Sequence, residues 1–139
     1  MNRFILLATL AALAACTEPQ SPLIIKNLDV QRALPGTSMG RAYLTLVNTT
    51  DDPITITHVS SPDFGRVALH ESVIEDGIAR MRALDTLTIA AGDQVKLAPG
   101  GKHLMLHDAL SEDSEIVFVF YAGDTPVLSV ATRTDTVEF

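Results

Sequence analysis

Residues 70–81, HESVIEDGIARM, place an Asp-Gly pair between two short runs that each resemble a β-strand. Asp76 and Gly77 are typical of the two-residue turn of a β-hairpin, in which both central residues need a positive φ. The shortest connection across this turn pairs Glu75 with Ile78. The stretch therefore predicts an antiparallel hairpin with a defined register.

This register brings a histidine and a methionine together. It places Met81 opposite Ser72, and Ser72 leaves its strand on the same side as His70. Diagonal neighbours on paired strands lie about 7–8 Å apart, which long side chains can bridge. One metal ion could therefore contact both His70 and Met81.

The same alternation of turn residues and short apolar runs extends along the chain in both directions from the hairpin. Apart from the first fifteen residues, no long segment has apolar residues at helical spacing, so the pattern predicts an all-β sandwich or barrel. The last two runs, EIVFVFYAG and VLSVATR, are almost continuously apolar and are predicted to form core. The predicted strands cover residues 42–47, 54–59, 66–73, 78–84, 95–97, 103–107, 116–121 and 127–132.

The N-terminus is typical of an export signal. A positively charged start precedes an apolar run over residues 4–15 that is too short to span a bilayer, and the run ends in the sequence LAAC at Cys16. Small residues before the only cysteine resemble a lipobox, the site where bacterial lipoproteins are cut and lipidated. An ordinary signal peptide cut near Ala15, with Cys16 left as a free thiol, is the alternative. The predicted segments are a lipoprotein signal peptide (1–15), a lipid-anchored tether (16–22) and one domain (23–139).

Charge and cysteine content exclude several classes of protein. The formal net charge of −7 disfavours nucleic acid and anionic lipid as partners. Because Cys16 is the single cysteine, the domain can contain no internal disulfide, CxxC redox motif or thiolate metal ligand.

A second pairing of histidine with methionine occurs in residues 100–110, GGKHLMLHDAL. His103, Met105 and His107 occupy every second position, so in a strand all three leave from one face. The Cα atoms of His103 and Met105 are then about 6.6–6.8 Å apart, which suits convergence on one ion.

The two segments together offer two imidazoles and two thioethers. A thioether binds Zn²⁺, Mg²⁺ or Ca²⁺ poorly but suits monovalent copper, and imidazole tolerates both copper oxidation states, so this set favours Cu(I). Methionine also fills cores, and lone histidines are commonly exposed or hydrogen-bonded. Periodicity alone leaves a copper site and a structural role both open.

The spacing of these four residues resembles a known signature. His70, Met81, His103 and Met105 reproduce the H-x10-M-x21-H-x-M pattern of the periplasmic copper chaperones, of PCu(A)C type, that serve the copper-A site of cytochrome c oxidase. The segments AYLTLVNTTDDP, LHESVIEDGIARMR and LAPGGKHLMLHDAL are similar to that family's strand, hairpin and site segments, and the similarity covers about residues 23–133.

The resemblance implies a cupredoxin-like β-sandwich with Greek-key topology that holds Cu(I), with Cu(II) as a second state, near its surface. The implied metal ligands are His70, Met81, His103 and Met105. It also implies a periplasmic protein, not an enzyme, that carries copper toward the copper-bearing oxidase subunit, often alongside a thiol-bearing assembly protein. Together with the lipobox, it predicts anchorage to a membrane through Cys16.

One position departs from the family pattern. Members commonly have a methionine followed by a glycine where this chain has His107-Asp108. His107 shares the face of His103 and is therefore either a further nitrogen ligand or a rim residue. His58 and Met39 fall outside the motif and are interpreted as structural.

The absence of several sequence motifs reduces the number of competing functions. A blue-copper electron carrier needs a cysteine thiolate, which the domain does not contain. The sequence has no Gly-x-Ser-x-Gly elbow, Walker loop, His-Glu-x-x-His helix or dinucleotide fingerprint, which disfavours an enzyme. Copper buffering in the envelope and a metal-free lipoprotein that binds another protein stay open as alternatives.

Overall fold

The computed structural model describes residues 21–112 and 115–134, and regular structure there consists of β-strands alone. The strands are β1 (Leu23–Gln31), β2 (Met39–Asn48), β3 (Ile54–Ile56), β4 (His58–Ser60), β5 (Phe64–Glu75), β6 (Ile78–Ala83), β7 (Leu87–Ile89), β8 (Gln94–Leu97), β9 (Lys102–Ala109), β10 (Glu115–Ala122) and β11 (Thr125–Arg133). The predicted all-β class is confirmed.

The strands form three antiparallel sheets. The largest has the order β1-β2-β9-β5-β6, and β8 also pairs with β2. A second sheet has the order β11-β10-β4, and β3 pairs with β7 in a two-stranded sheet. Since β9 lies between β2 and β5, the segment that carries His103 and Met105 is a central strand of the largest sheet.

One apolar core joins the sheets. Even-numbered residues of β2, β9 and β10 face it, which is the alternation expected when one side of each strand is buried. The core rings of Phe64 and Phe118 stack with their centres 6.3 Å apart. The predicted core role of the last two strands is confirmed for β10. The buried members of the core include Ala42, Leu44, Leu46, Leu104, Leu106, Ile116, Phe118 and Phe120.

Three strand predictions differ from the structure. The segment at residues 54–59 is not one strand, because the backbone N–H of Thr57 instead donates to the carbonyl of Tyr121 and splits the segment into β3 and β4, in different sheets. The strands β1 and β7 were not predicted. The pairing of β1 shifts at a bulge where Asn27 has a φ of 53°, which interrupts the two-residue period, and β7 has only three residues.

The hairpin of β5 and β6 has the predicted register. Asp76 and Gly77 have φ values of 53° and 76°, as a two-residue turn with two left-handed residues requires. Glu75 pairs with Ile78, and Ser72 pairs with Met81. The position of Met81 relative to the neighbouring strand is therefore set by this short turn.

Two buried polar side chains form hydrogen bonds that hold loops in place at a distance from the hairpin. The Asn48 side chain donates to the carbonyls of Asp52, Ile89 and Ala90 and accepts from the backbone N–H of Thr50. The buried Asp63 carboxylate accepts from Ser111 Oγ and from the backbone N–H of Val117. Both residues satisfy backbone or hydroxyl groups that would otherwise lose hydrogen bonds on burial.

Several predictions about the N-terminus fall outside the described residues. They are the signal peptide, the lipidation of Cys16 and all but the last two residues of the tether. In the part of the chain that the structure does describe, no helix has the length and apolar character needed to cross a membrane.

Candidate metal centre

The central strand β9 brings the two candidate imidazoles together. His70 of β5 is the direct cross-strand partner of His103, and Ala68 is the partner of Met105. The ring centres of His70 and His103 are 6.1 Å apart, with an angle of 25° between the ring planes. Two imidazoles on one ion have ring centres about 5–6 Å apart when metal–nitrogen bonds are about 2 Å long. The observed spacing of the two rings suits a shared ion.

The orientation of the His103 ring is fixed by its backbone neighbour. Its Nδ1 lies 3.0 Å from the carbonyl oxygen of Gly101, which also accepts the backbone N–H of Ser72 at 3.1 Å. Because a carbonyl can only accept, Nδ1 must carry the proton of the neutral ring. The lone pair is therefore on Nε2.

The environment of His103 Nε2 is unusual for a polar atom. His103 is only 3% exposed, and its Nε2 is a buried side-chain nitrogen with no hydrogen-bond partner in the described part of the chain. A buried polar atom without a partner costs about 1–3 kcal/mol. Metal-binding histidines typically donate their other N–H to a carbonyl or carboxylate, as His103 does through Nδ1. The ring therefore has the arrangement that is typical of a metal-binding histidine.

The second imidazole shows a similar arrangement with looser geometry. His70 Nδ1 lies 3.4 Å from the carbonyl oxygen of Ala68, and the residue is only partly buried. The carbonyl again favours the proton on Nδ1 and the lone pair on Nε2. Both candidate histidines can thus offer the same nitrogen to an ion.

The two candidate thioethers differ in depth. Met105 is 7% exposed, whereas Met81 is 46% exposed. Met81 pairs with Ser72, so by register it lies diagonal to His70 on the face that carries His103. The four residues predicted from spacing therefore share one face, but only His103 and Met105 are buried. The candidate donors on β9 are therefore more deeply buried than the candidate donor on the hairpin.

His107 occupies the far end of this face, and its ring is already engaged. Its Nε2 lies 3.2 Å from Nη2 of Arg66, and an arginine can only donate, so the imidazole nitrogen accepts. Burial and, to a smaller extent, the Arg66 cation lower the pKa of His107, while Asp108 opposes that shift. This hydrogen bond occupies the Nε2 lone pair, and the role of His107 as a further ligand stays a prediction.

Of the two residues interpreted as structural, His58 lies in a different sheet from the four candidates, whereas Met39 lies on their face. His58 stacks on Tyr121, with ring centres 4.2 Å apart and planes 8° apart. Met39 is exposed and is the cross-strand partner of His107. Among the described residues, no group of three His, Cys, Asp or Glu side chains is placed to hold a metal ion. The candidate set takes half of its donors from methionine.

Two supporting residues were missed by reasoning from sequence. The first is Gly101, whose carbonyl orients His103; the Pro-Gly-Gly turn just before that histidine was a signal for it. The second is Tyr43, whose ring centre is 6.4 Å from that of His103 on the same face of the sheet. Its position in the alternating strand β2 could have placed it on this face, but not beside His103.

Comparison with known proteins places the chain in a family. The family model described as "Putative lipoprotein LpqE-like" matches residues 23–130. The chain belongs to the LpqE-like family. It is also 25% identical over 115 residues to the uncharacterized protein RP573 of Rickettsia prowazekii. That alignment covers 78% of this chain and 62% of the relative, so the chain spans less than two thirds of the relative's length.

Solved structures with the same fold come from PCuAC domains. The LpqE-like chain is 26% identical to apo-DR1885 of Deinococcus radiodurans, covering 96% of this chain and 92% of that one, with a TM-score of 0.58. For the Cu(I) form of DR1885 the identity is 27%, the coverage 86% and 80%, and the TM-score 0.57. The copper-bound PCuAC domain from PmoF2 is 23% identical, with coverage of 81% and 89% and a TM-score of 0.60.

These matches confirm two sequence-based conclusions. The fold is the predicted cupredoxin-like β-sandwich, and the resemblance to PCu(A)C-type proteins is confirmed. Proteins of this type bind metal and are not enzymes, which agrees with the prediction of a non-enzymatic protein.

Proposed function

We propose that this protein is an extracytoplasmic Cu(I)-binding metallochaperone that holds the ion through His70, Met81, His103 and Met105. The observation that carries the proposal is Nε2 of His103, a buried nitrogen without a hydrogen-bond partner among the residues that the structure describes. Its ring is oriented by Gly101 and it faces a second imidazole at 6.1 Å. An ion bound at this point would remove the cost of burying that nitrogen.

The donor chemistry supports Cu(I) as the cargo. Two thioethers and two neutral imidazoles bring no charge to the site, and soft sulfur donors suit monovalent copper better than Zn²⁺ or Ca²⁺. The similarity to DR1885, which has been solved in a Cu(I) form, agrees with this choice.

The unequal depth of the donors suits transfer by ligand exchange. His103 and Met105 are buried in a central strand, whereas Met81 is nearly half exposed on the hairpin. A partner's ligand can replace Met81 first, while the buried donors still hold the ion. Because none of the donors is a thiolate, no charged ligand resists release.

The destination of the copper is the finer part of the proposal. We infer that the protein carries copper toward the copper-A centre of cytochrome c oxidase, either to its copper-bearing subunit or through a thiol-bearing assembly protein. A lipid on Cys16 would hold the domain at a membrane surface in the periplasm, with the short tether between them. Membership of the LpqE-like family supports a location in the envelope.

The deciding experiment is a titration of the purified protein with Cu(I) against a competing chelator. In the test variant, Met81 and Met105 are both replaced by leucine, a change that conserves volume and costs less than about 1.5 kcal/mol at a buried site. We expect the variant to keep its fold, shown by thermal unfolding, and to lose tight Cu(I) binding. Met39→Leu is the matched control, since Met39 is exposed on the same face outside the candidate set.

The outcomes separate the competing functions. If the double variant binds Cu(I) as tightly as the wild type, these methionines are not ligands, and a metal-free interaction module becomes the better account. If the wild type binds Cu(I) but does not load the apo copper-A domain of the oxidase subunit when the two are mixed, copper buffering replaces delivery.

A further inference from the structure

The face of the largest sheet that carries the candidate ligands is cationic, although the chain is acidic. Alternation along the paired strands places four basic side chains on this face. By the same alternation, Asp29 is the carboxylate on this face among the described strand positions, and the Asp108 carboxylate, where a φ of 54° breaks the alternation, acts on His107 at its end. The whole chain has 17 acidic and 10 basic side chains, so the basic residues are concentrated here. The four are Lys26, Arg41, Arg66 and Lys96, all exposed.

In the part of the chain that the structure describes, none of these four cations takes part in an ion pair. On the opposite side of the hairpin, Arg80 and Arg82 both contact Glu75, and Lys102 contacts Glu71. Within residues 21–112 and 115–134, neither Arg41 nor Arg66 makes a salt bridge to a carboxylate. Their positive charge therefore acts on whatever lies beside them.

Two of these cations flank the buried half of the candidate site. Arg41 of β2 is the direct cross-strand partner of Met105, and direct partners have Cα atoms about 4.5–5.5 Å apart. Arg66 of β5 is the partner of His107, on the other side of β9, and its Nη2 is held 3.2 Å from the His107 ring. Met105 thus has an arginine on each neighbouring strand.

A positive charge beside a cation site opposes binding by an amount proportional to the charge of the ion. The Coulomb energy between an arginine and a divalent ion is twice that with a monovalent ion at the same place. The four candidate ligands are neutral and do not offset this difference. Two flanking arginines therefore penalise Cu(II) twice as strongly as Cu(I).

We propose that Arg41 and Arg66 are specificity-determining residues that weaken the binding of divalent ions more than the binding of Cu(I). This inference rests on the proposed function, because it assumes that the four candidate residues hold copper. It adds to the ligand chemistry a discrimination by charge, which uses residues outside the ligand set. The same field keeps Cu(I) binding moderate and so favours release.

The test compares Cu(I) and Cu(II) affinities of the wild type with those of Arg41→Gln and Arg66→Gln at low salt. For each variant we expect Cu(I) affinity to rise about threefold. Because the Coulomb energy is twice as large for the divalent ion, Cu(II) affinity should rise by roughly the square of that factor, about tenfold. The threefold change in their ratio corresponds to a reduction potential lower by about 28 mV, at 59 mV per tenfold for one electron. Both changes should shrink at high salt, because exposed charges are screened.

Two controls identify charge as the cause. Arg41→Lys keeps the cation and should restore the wild-type ratio. Arg82→Gln removes an arginine that follows Met81 in sequence but lies on the other side of the hairpin, paired with Glu75, and should leave the ratio unchanged. Arg41→Gln is the primary variant, because loss of Arg66 also frees the His107 ring.

Equal fold-changes for the two ions, no change in either, or the same change in Arg82→Gln would each overturn the arginine proposal and leave the proposed function standing. A wild-type protein that binds no Cu(I) would overturn both.

Discussion

The two halves of the candidate site are built on different kinds of backbone. His103 and Met105 lie on β9, which has a strand on either side and a core beneath it, and they are 3% and 7% exposed. Met81 lies on β6, an edge strand whose residues are all exposed, and is itself 46% exposed. His70, partly buried on β5, joins the two halves.

This difference in pairing and burial identifies which half is preorganised and which half can move. On β9, Met105 is paired with both neighbouring strands, and His103 is paired with β5 and oriented by the Gly101 carbonyl. The hairpin is held on one side only, and regions with few buried contacts open at low free energy. The β9 half should therefore determine whether copper binds, and the hairpin half how readily it leaves.

The largest expected effect is at the centre of the buried half. In His103→Leu, the bare Nε2 disappears together with the Nδ1 hydrogen bond, so a burial cost and a stabilising contact are lost together. We expect the free energy of unfolding of the metal-free protein to change by no more than about 1 kcal/mol. We expect Cu(I) affinity to fall by more than about 100-fold, since loss of an orienting partner alone costs 10–100-fold. Competition titration and thermal unfolding with and without Cu(I) measure the two effects.

A control histidine makes this result specific. His58→Leu changes an exposed ring that stacks on Tyr121, away from the candidate ligands, and should leave Cu(I) affinity unchanged. If copper still raises the unfolding temperature of His103→Leu as it does for the wild type, the buried half does not determine binding and the comparison of the two halves is wrong.

An intermediate effect is expected from loosening the exposed half without touching a donor. Gly77 has a φ of 76°, and an added Cβ would have no heavy atom within 4 Å, so Gly77→Ala strains only the turn. A left-handed alanine costs about 1 kcal/mol. We expect Cu(I) to dissociate several-fold faster from this variant, measured by transfer to a chelator in a stopped-flow experiment, with a smaller change in affinity than in His103→Leu.

Another hairpin supplies the matched comparison. Gly123, between β10 and β11, has a φ of 62° and equally open space around a Cβ, but it lies in a different sheet from the candidate ligands. Gly123→Ala should cost similar stability and leave the dissociation rate of Cu(I) unchanged. Equal rates in the two glycine variants would mean that the hairpin of β5 and β6 does not control release.

The sequence predicts the positions of the donors better than their surroundings. The Asp76-Gly77 turn fixes the pairing of β5 with β6, and the two-residue period fixes which side of β9 carries His103, so both could be derived locally. The direct pairing of His70 with His103 could not, because it joins strands 33 residues apart in sequence and depends on the order of the sheet.

The burial of each donor also could not be predicted from the local sequence pattern. The same alternation describes Met81 and Met105, yet one is on an edge and the other is enclosed by neighbouring strands. The hydrogen bond from Arg66 to His107 likewise depends on which strand lies next to β9. The strand predictions for residues 54–59 and 23–31 were wrong for a similar reason. The first segment changes sheet and the second contains a bulge, and both features depend on tertiary pairing.

The smallest expected effect concerns His107, at the end of the buried half beside Arg66. Burial, and then the Arg66 cation, lower its pKa below the ordinary value of 6.5. As the pH falls through about 6.5, the unfolded chain takes up a proton at this residue before the folded protein does, so stability declines in the interval between the two pKa values. His107→Gln removes this contribution. We therefore expect wild type and variant to show the same pH dependence of the free energy of unfolding above about pH 7. Between pH 6.5 and the lower pKa, the variant should lose less stability than the wild type, which denaturant titration at several pH values measures.

The pKa of His107 can also be measured directly by NMR. The His107 ring resonances should titrate below 6.5 in the folded wild type, and in Arg66→Gln they should move back toward that value. A wild-type His107 that titrates above 6.5 would show that burial and the Arg66 cation do not lower its pKa. The buried half of the candidate site would then not extend beyond Met105.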